Sequence, residues 1–225
     1  MESVIIFILQ VFGIASFSAA ATLTALRKNT DMIGALILAF TTSFGGGIMR
    51  DIFTGHIPPH LFTDYDYMIF AVVCTAVSLV IYHLAFIRKI SDYLVEHRHF
   101  FLIEFFDTVG IALFSVSGSA TVINIGGKIG TNNALVIFCG VITAVGGGVL
   151  RDLLLAEMPG IFKKYVYLLP CLAGAAFYVY LHTVIGELPT TVIAASIIIC
   201  IRIPAILLKW TLPTPQNKFN KGTGK

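Results

Sequence analysis

The chain has 225 residues, of which 57% are hydrophobic and only 12% are charged, and its formal net charge is +3. Soluble domains carry about 25% charged residues, so this composition excludes a soluble globular protein and indicates an integral membrane protein. A membrane-spanning helix needs about 20 mainly apolar residues, which leaves room for several spans but for no large soluble domain. The small positive charge is spread over loops, so we expect no binding to nucleic acid.

Long apolar segments recur along the chain and predict an all-α integral membrane protein with seven transmembrane helices. The predicted spans are residues 4–26, 31–57, 66–87, 101–124, 132–158, 163–182 and 188–210. No basic segment precedes the first span, so we expect a retained helix and not a signal peptide. The polar and basic residues 211–225 are predicted to form a disordered tail.

Spans 1–3 recur in the sequence as spans 4–6. The segment that ends at Ser18 (GIASFS) matches the segment that ends at Ser115 (GIALFS), 97 residues later. Because each repeat has an odd number of spans, the second copy must be inserted upside down, which is the inverted-repeat arrangement of many transport proteins. The predicted units are a first three-helix repeat over 1–97, an inverted second repeat over 98–184 and a seventh helix over 185–210.

Each repeat carries one copy of the motif GGGxxRD inside an apolar segment, at 45–51 and at 146–152. Three glycines weaken a helix by about 1 kcal/mol each relative to alanine, and a charge near the bilayer centre costs about 2.5–3.5 kcal/mol. A motif that recurs in register despite these costs is predicted to be functional. The expected ion pathway comprises Thr42, Ser43, Gly45, Gly46, Gly47, Arg50, Asp51, Thr143, Gly146, Gly147, Gly148, Arg151, Asp152, Ser18, Ser115 and Asp107.

The spacing of the flanking residues places both motifs near the membrane midplane. Asp31 and Pro58 bracket the first motif, and Asn132 and Pro159 bracket the second, each pair 27 residues apart. A continuous helix of that length would span about 40 Å, more than the ~30 Å hydrocarbon core. We therefore predict a break or kink at the glycines, which tolerate unusual backbone angles. The freed carbonyls would bind a monovalent cation near Gly45, Gly46, Gly146 and Gly147.

Two alternatives stay open for the motif. The glycines could serve only close helix packing, as small residues do in membranes. The charges could form structural ion pairs across the repeats, Arg50 with Asp152 and Arg151 with Asp51, or could lie directly in the ion pathway. Asp107, deep in the fourth span, is a candidate for either the pore or helix pairing, whereas Gln10 occupies its position in the first repeat.

The distribution of lysine and arginine predicts the orientation. Basic residues collect on one side of the predicted topology, at Arg27, Lys28, Arg88, Lys89, Arg98, Lys163, Lys164, Lys209 and the tail. The opposite side has Lys128 and little else. Because basic loops stay in the cytoplasm, we expect the N-terminus outside and the C-terminus inside, in the plasma (inner) membrane of a bacterium or archaeon.

The segment 26–34 (LRKNTDMIG), the two GGGxxRD motifs and the 3+3+1 layout resemble the prokaryotic branch of the trimeric intracellular cation (TRIC) channels. The resemblance implies a homotrimer embedded in lipid, with one hourglass pore per protomer. That pore would be lined by spans 1, 2, 4 and 5, with spans 2 and 5 kinked at the glycines. It would pass potassium and other monovalent cations such as sodium, without a cofactor.

Some bacterial relatives of these channels are labelled as possible glycine transporters. The alternative function is therefore a secondary transporter of a small zwitterion such as glycine, in which Arg50 or Arg151 would hold the carboxylate and the repeats would rock around a midplane site. No serine, histidine or cysteine arrangement suggests catalysis, and no dinucleotide or phosphate-binding motif follows a strand. We therefore expect that the protein is not an enzyme.

Overall fold

The structure, a computed structural model, describes residues 2–63, 65–87, 99–163 and 166–210. These residues form ten helices and no strand. The seven long helices are α1 (Glu2–Arg27), α2 (Met32–Thr54), α4 (Tyr65–Ile87), α5 (His99–Ile125), α7 (Asn133–Leu154), α9 (Leu168–Ile185) and α10 (Glu187–Leu207). The three short ones are α3 (His60–Thr63), α6 (Gly127–Gly130) and α8 (Gly160–Lys163).

The all-α prediction is confirmed. Six helices, α1, α2, α5, α7, α9 and α10, are long and apolar enough to cross a membrane. Helix α4 has 23 residues and coincides with the predicted third span, and its role as a seventh span stays a prediction. The predicted tail 211–225, the proposed repeat boundary at 97/98, and the basic residues Arg88, Lys89, Arg98 and Lys164 lie outside the described residues.

Helices α2 and α7 begin at the residues that the sequence predicts. The carboxylate of Asp31 accepts a hydrogen bond from the Gly34 amide at 2.6 Å, and the side-chain oxygen of Asn132 accepts one from the Leu135 amide at 3.2 Å. These side chains satisfy amides that have no partner within the helix. The two repeats therefore start their second helix with equivalent N-caps.

The predicted break in these helices is wrong, whereas a kink at the glycines stays a prediction. Helix α2 runs without interruption through Gly45–Gly47, and α7 runs without interruption through Gly146–Gly148. Both helices end before the prolines, where Gly55 (φ 75°) and Ala156 (φ 52°) turn left-handed. Their 23 and 22 residues span about 33–35 Å, close to the thickness of the hydrocarbon core. The two helices therefore do not exceed the thickness of the hydrocarbon core by the length that had predicted a break.

The sixth predicted span also differs at its start. Residues 160–163 form the separate short helix α8, and α9 begins only at Leu168. Pro170 therefore lies in the first turn of α9, where the missing amide hydrogen would have no partner within the helix in any case.

Equivalent helices of the two repeats pack against each other, α1 on α5 and α2 on α7. On the first pair, the rings of Phe17 and Phe114 stack with centroids 5.1 Å apart. Each ring lies over the glycine of the other helix, so that a β-carbon added at Gly13 would lie 2.9 Å from the Phe114 ring and one at Gly110 would collide with the Phe17 ring. This reciprocal contact has the symmetry expected for two repeats related by a pseudo-two-fold axis.

In each repeat an equivalent serine attaches the third helix to the first. The Ser18 hydroxyl donates to the Cys74 carbonyl of α4 at 3.4 Å, and it lies 2.7 Å from the Ser78 hydroxyl. The Ser115 hydroxyl donates to the Cys171 carbonyl of α9 at 3.2 Å. Both serines are buried and join helices, and their place in the ion pathway stays a prediction.

Candidate functional site

The glycine motifs form the crossing point of α2 and α7. A β-carbon at Gly46 would collide with the Thr143 carbonyl, and one at Gly147 would collide with the Thr42 carbonyl. A β-carbon at Gly146 would lie only 3.1 Å from the α-carbon of Gly46. These glycines allow close approach of two helix backbones, as small residues do in membrane proteins. The alternative that assigns them to packing therefore fits this crossing.

The glycines of the crossing lie within regular helix. Gly45, Gly46, Gly146 and Gly147 all lie in uninterrupted helix, where each carbonyl is directed toward the amide four residues later. The hydroxyls of Thr42 and Thr143 donate to the carbonyls of Leu38 and Cys139, each at 2.6 Å. The glycine carbonyls are therefore not freed by a helix break in this conformation, and a monovalent cation near these glycines stays a prediction.

The arginine and aspartate of each motif form an ion pair with each other. Arg50 donates from Nε and Nη2 to one carboxylate oxygen of Asp51, at 2.9 and 2.7 Å. Arg151 donates from the same two nitrogens to Asp152, at 3.0 and 2.8 Å. All four side chains are buried. The pairs lie within each motif, so the predicted pairing across the repeats is wrong.

The second oxygen of each aspartate holds the turn that follows its helix. Asp51 accepts a hydrogen bond from the amide of His60, at the start of α3, and Asp152 accepts one from the amide of Gly160, at the start of α8. Both distances are 2.9 Å. Each Arg–Asp pair therefore connects a membrane helix to the short helix that folds back behind it.

A small cavity of about 40 Å³ lies next to the first pair. It is lined by α1, α2, α3 and α5, through Gln10, Ile14, Ser43, Phe44, Gly47, Ile48, Arg50, Asp51, His60, Leu61 and Phe114. A β-carbon at Gly47 would meet no atom within 4 Å, so this glycine borders open space. The predicted residues Ser43, Gly47, Arg50 and Asp51 therefore share one cavity, which we call the first cavity.

A second cavity of about 400 Å³ opens on the opposite face of the helix bundle, next to the second pair. It is lined by Thr24, Arg27, Lys28, Ile103, Glu104, Arg151, Asp152, Ala156, Glu157, Met158 and Gly160. A salt bridge between Lys28 and Glu157 crosses from the end of α1 to the turn after α7. The predicted residues Arg151 and Asp152 therefore border a cavity that enters from the side where Arg27 and Lys28 lie.

Packed side chains separate the two cavities. On α1, the lining of the first cavity reaches Ile14 and that of the second begins at Thr24, which is about 15 Å of helix. Phe17, on the intervening segment, is 1% exposed and stacks on Phe114. The linings of the two cavities share no residue, and the buried Phe17 lies between them on α1.

The second repeat holds a further charged network around Asp107. One oxygen of Asp107 accepts from Tyr167 at 2.8 Å and from Arg202 at 3.1 Å, and the other lies 3.5 Å from Nη1 of Arg151. Nη2 of Arg202 also lies 3.5 Å from Glu104. The predicted Asp107 thus joins the second motif through Arg151, whereas Gln10 in the first repeat bonds only weakly to Thr121, at 3.4 Å.

Arg202, Tyr167 and His60 belong to these sites although they are absent from the predicted pathway. Arg202 carries a signal in the sequence, because it is a lone charge within the apolar segment of α10. Tyr167 and His60 carry no such signal in the sequence, because each meets its carboxylate partner only in the tertiary fold. Tyr167 precedes α9 and donates to Asp107, and His60 begins α3 with its Nδ1 3.2 Å from Asp51.

Comparison with known proteins shows the family. The model of the family described as "Glycine transporter" matches residues 7–84 and 104–183, one segment in each repeat. A UPF0126 membrane protein from Deinococcus radiodurans is 33% identical over 170 residues, which is 74% of this chain and 72% of that protein.

Two solved structures share the fold. A TRIC cation channel, studied for the structural basis of its conductance, superposes with a TM-score of 0.75 and 30% identity, over 92% of this chain and 95% of that one. A TRIC trimeric intracellular cation channel orthologue from Rhodobacter sphaeroides superposes with a TM-score of 0.77 and 25% identity, over 90% of this chain and 97% of that one. These relatives are channels and not enzymes. The chain therefore belongs to the family of membrane proteins described as glycine transporters and has the fold of the TRIC cation channels.

Proposed function

We propose that this protein is a homotrimeric channel for monovalent cations such as potassium and sodium, with one pore in each protomer. The observation that carries the proposal is the pair of cavities that enter the bundle from opposite faces, each bordered by a buried Arg–Asp pair. Solved structures with the same fold are cation channels, which supports this reading of the two cavities.

The proposed pore joins the two cavities through the centre of α1, α2, α5 and α7. The stacked Phe17 and Phe114 rings and the glycine crossing fill this centre. Conduction therefore requires the rings to move apart, so the conformation described above is a closed one. The pore borders the glycine motif at Gly47, while Gly46 and Gly147 hold the crossing together.

The proposed location is the inner membrane, because long apolar helices are the spanning structures of that bilayer whereas the bacterial outer membrane holds β-barrels. The positive-inside rule supports an N-terminus outside and a C-terminus in the cytoplasm. The second cavity, bordered by Arg27 and Lys28, would then open to the cytoplasm and the first cavity to the outside.

The alternative is a secondary transporter of glycine, as the description of the family suggests. In that mechanism Arg50 or Arg151 would hold the substrate carboxylate. Each of these arginines already donates two hydrogen bonds to the aspartate beside it. A substrate would have to displace a buried ion pair whose second carboxylate oxygen also holds the following turn. This competition favours the channel.

The two functions are separated by reconstituting the purified protein into planar bilayers and vesicles. A channel gives discrete unitary currents that reverse at the potassium equilibrium potential in a potassium chloride gradient. A carrier gives saturable uptake of labelled glycine that depends on an ion gradient, without unitary currents. Uptake of the second kind in vesicles that hold intact trimers would reject the proposed channel.

A further inference from the structure

The first cavity is lined by a deeply buried polar side chain whose hydrogen-bonding capacity is only partly used. Gln10 of α1 belongs to this lining and is 9% exposed. Its Nε2 donates to the Thr121 hydroxyl at the long distance of 3.4 Å. Its carboxamide oxygen has no hydrogen-bond partner among the residues that the structure describes. Polar side chains buried to this extent are nearly always paired, so the oxygen indicates a binding site.

The hydrogen bonds around Thr121 determine which end of the Gln10 carboxamide faces the cavity. The Thr121 hydroxyl donates its only hydrogen to the Ser117 carbonyl at 2.8 Å. Thr121 can therefore only accept from Gln10, and the atom that donates to it must be the amide nitrogen. Because Thr121 lies outside the lining of the first cavity, the nitrogen is directed toward α5 and the carbonyl oxygen remains for the cavity.

Ser43 supplies a second neutral oxygen to the same cavity. Its hydroxyl donates to the Ile14 carbonyl at 3.3 Å. A hydroxyl oxygen that has donated its hydrogen keeps its lone pairs for a further ligand. The cavity volume of about 40 Å³ suits one small ion with about one water beside it. The first cavity therefore offers two oxygen acceptors in a space that fits a single ion.

The charged side chains of the first cavity are already paired with each other. Arg50 donates twice to one carboxylate oxygen of Asp51, and the other oxygen accepts from the His60 amide at 2.9 Å. The ion pair adds little net charge, so neutral oxygens remain as the available ligands. Neutral oxygens can hold a monovalent cation weakly enough to release it, as conduction requires. Calcium prefers several oxygens with carboxylates among them, so this site favours monovalent ions.

The sequence of the second repeat contains no equivalent of this pair of oxygens. Asp107 lies at the position of Gln10, 97 residues later, and its carboxylate accepts hydrogen bonds from neighbouring side chains. Ala144 lies at the position of Ser43, 101 residues later. The combination of Gln10 and Ser43 is therefore a property of the first cavity and not of the internal symmetry of the fold.

We propose that Gln10 and Ser43 form a binding site for one monovalent cation, such as potassium or sodium, in the first cavity. The neutral carbonyl oxygen of Gln10 is the ligand that sets the preference for monovalent over divalent ions. The inference rests on the proposed channel function, and it adds to the pore a ligand that lies outside the repeated glycine motif.

Binding is measured without current, by thermal unfolding of the purified protein in potassium chloride and in N-methyl-D-glucamine chloride at equal ionic strength. The organic cation is too large for a cavity of about 40 Å³. A ligand that binds only the folded state raises the midpoint, so the wild type should unfold at a higher temperature in the potassium salt. Gln10→Met and Ser43→Ala each remove one oxygen and should lose most of this difference.

Ser119→Ala is the matched control. Ser119 is a buried helix serine like Ser43, and its hydroxyl also donates to a carbonyl of another helix, that of Val136 at 3.5 Å. It lines neither cavity, so this variant should keep the full potassium difference. Equal midpoints of the wild type in both salts would mean that the cavity holds water only and would overturn the inference. A full difference in Gln10→Met or Ser43→Ala would also overturn it, as would an equal loss in Ser119→Ala.

Gln10→Glu tests the preference for monovalent ions, and it decides in place of Gln10→Met if that variant does not fold. The added carboxylate supplies the charged oxygen that divalent cations prefer. Calcium chloride should therefore raise the midpoint of Gln10→Glu more than that of the wild type. Calcium added on the side of the first cavity should block the potassium current of Gln10→Glu at a concentration at least about tenfold lower. Equal sensitivity of the two proteins to calcium would overturn the role of Gln10.

The two kinds of measurement separate this inference from the proposed function. If the wild type gives no unitary currents, the channel proposal fails, and the midpoints in the two salts still decide whether the cation site exists. If the wild type conducts but its midpoint is the same in both salts, the channel stands and the site at Gln10 and Ser43 is rejected.

Discussion

Gly147 lies directly against the backbone carbonyl of Thr42, and Gly46 lies in the same way against the carbonyl of Thr143. The two contacts are equivalent under the internal repeat, which places Thr42 and Thr143 as well as Gly46 and Gly147 101 residues apart. Each glycine is thus the point at which one helix touches the main chain of the other. This relationship gives the repeated motif a structural purpose that is independent of ion binding.

We predict that Gly46→Ala and Gly147→Ala destabilise the protein, because the added methyl group must push two helix backbones apart. Overpacking of this kind costs about 1–3 kcal/mol. Gly47→Ala is the matched control, since its methyl group meets no atom within 4 Å and alanine favours the helix by about 1 kcal/mol. Thermal unfolding in detergent should place Gly47→Ala at or above the wild type and the other two below it. Equal midpoints for all three would contradict the packing role.

We predict that Asp51→Asn and Asp152→Asn each lower stability by about 3–5 kcal/mol. Asparagine keeps an oxygen for the following turn but removes the negative charge that the guanidinium group of Arg50 or Arg151 contacts through two hydrogen bonds. Arg151 keeps Asp107 at 3.5 Å, so the loss in Asp152→Asn should lie at the lower end of this range. Asp31→Asn is the control, because Asp31 is an exposed N-cap and asparagine caps a helix equally well. Chemical unfolding followed by helical circular dichroism measures all three. A loss in Asp31→Asn as large as that in Asp51→Asn would argue against the ion pair as the cause.

The turns that end α2 and α7 predict opposite changes in stability for the two reverse exchanges of glycine and alanine. Gly55→Ala should cost about 1–2 kcal/mol, since a side chain is strained in the left-handed conformation that Gly55 adopts. Ala156→Gly, at the equivalent turn with φ 52°, should instead stabilise by about 0.5–1 kcal/mol, because the strain removed outweighs the added chain entropy of glycine. Unfolding midpoints of the two variants should lie on opposite sides of the wild type. Shifts of the same sign would refute the assignment of these turns.

We predict that Phe17→Leu and Phe114→Leu increase conduction, because these rings stack between the two cavities. The smaller side chain lowers the free energy needed to open a connection between them. Phe12→Leu is the control, since Phe12 lies on the same helix as Phe17 but is 62% exposed. Open probability in planar bilayers should rise by several-fold in the first two variants and stay at the wild-type level in the third. A wild-type open probability in both core variants would place the closed gate elsewhere.

The orientation is tested by labelling single cysteines in whole cells. We expect Lys128→Cys to react with a membrane-impermeant maleimide from outside and Lys209→Cys to react only after the membrane is permeabilised. Cys200, which is exposed on the helix surface, is replaced by serine in both variants so that it does not contribute signal. The reverse labelling pattern would invert the topology that the positive-inside rule predicts and would exchange the two cavities between the faces.

The sequence alone was enough to predict six of the membrane-spanning helices, the internal repeat and the starts of α2 and α7. Apolar runs near Val4–Arg27 or Asn133–Leu154 are long enough to cross a bilayer, and this property depends on composition and not on packing. The N-caps Asp31 and Asn132 were predictable because a capping side chain bonds to an amide only three residues away. The repeat was visible because equivalent residues keep a constant spacing.

Only the tertiary structure decided what the glycines and charges do. The sequence of α2, with its three glycines, allows the helix to break or to continue. In the structure the helix continues, and Gly46 lies against the Thr143 carbonyl of another helix. The sequence placed an arginine beside an aspartate but could not select the partner of either. Arg202 meets Asp107 across 95 residues of chain, and such a contact depends on how α10 packs on α5, which no local pattern encodes.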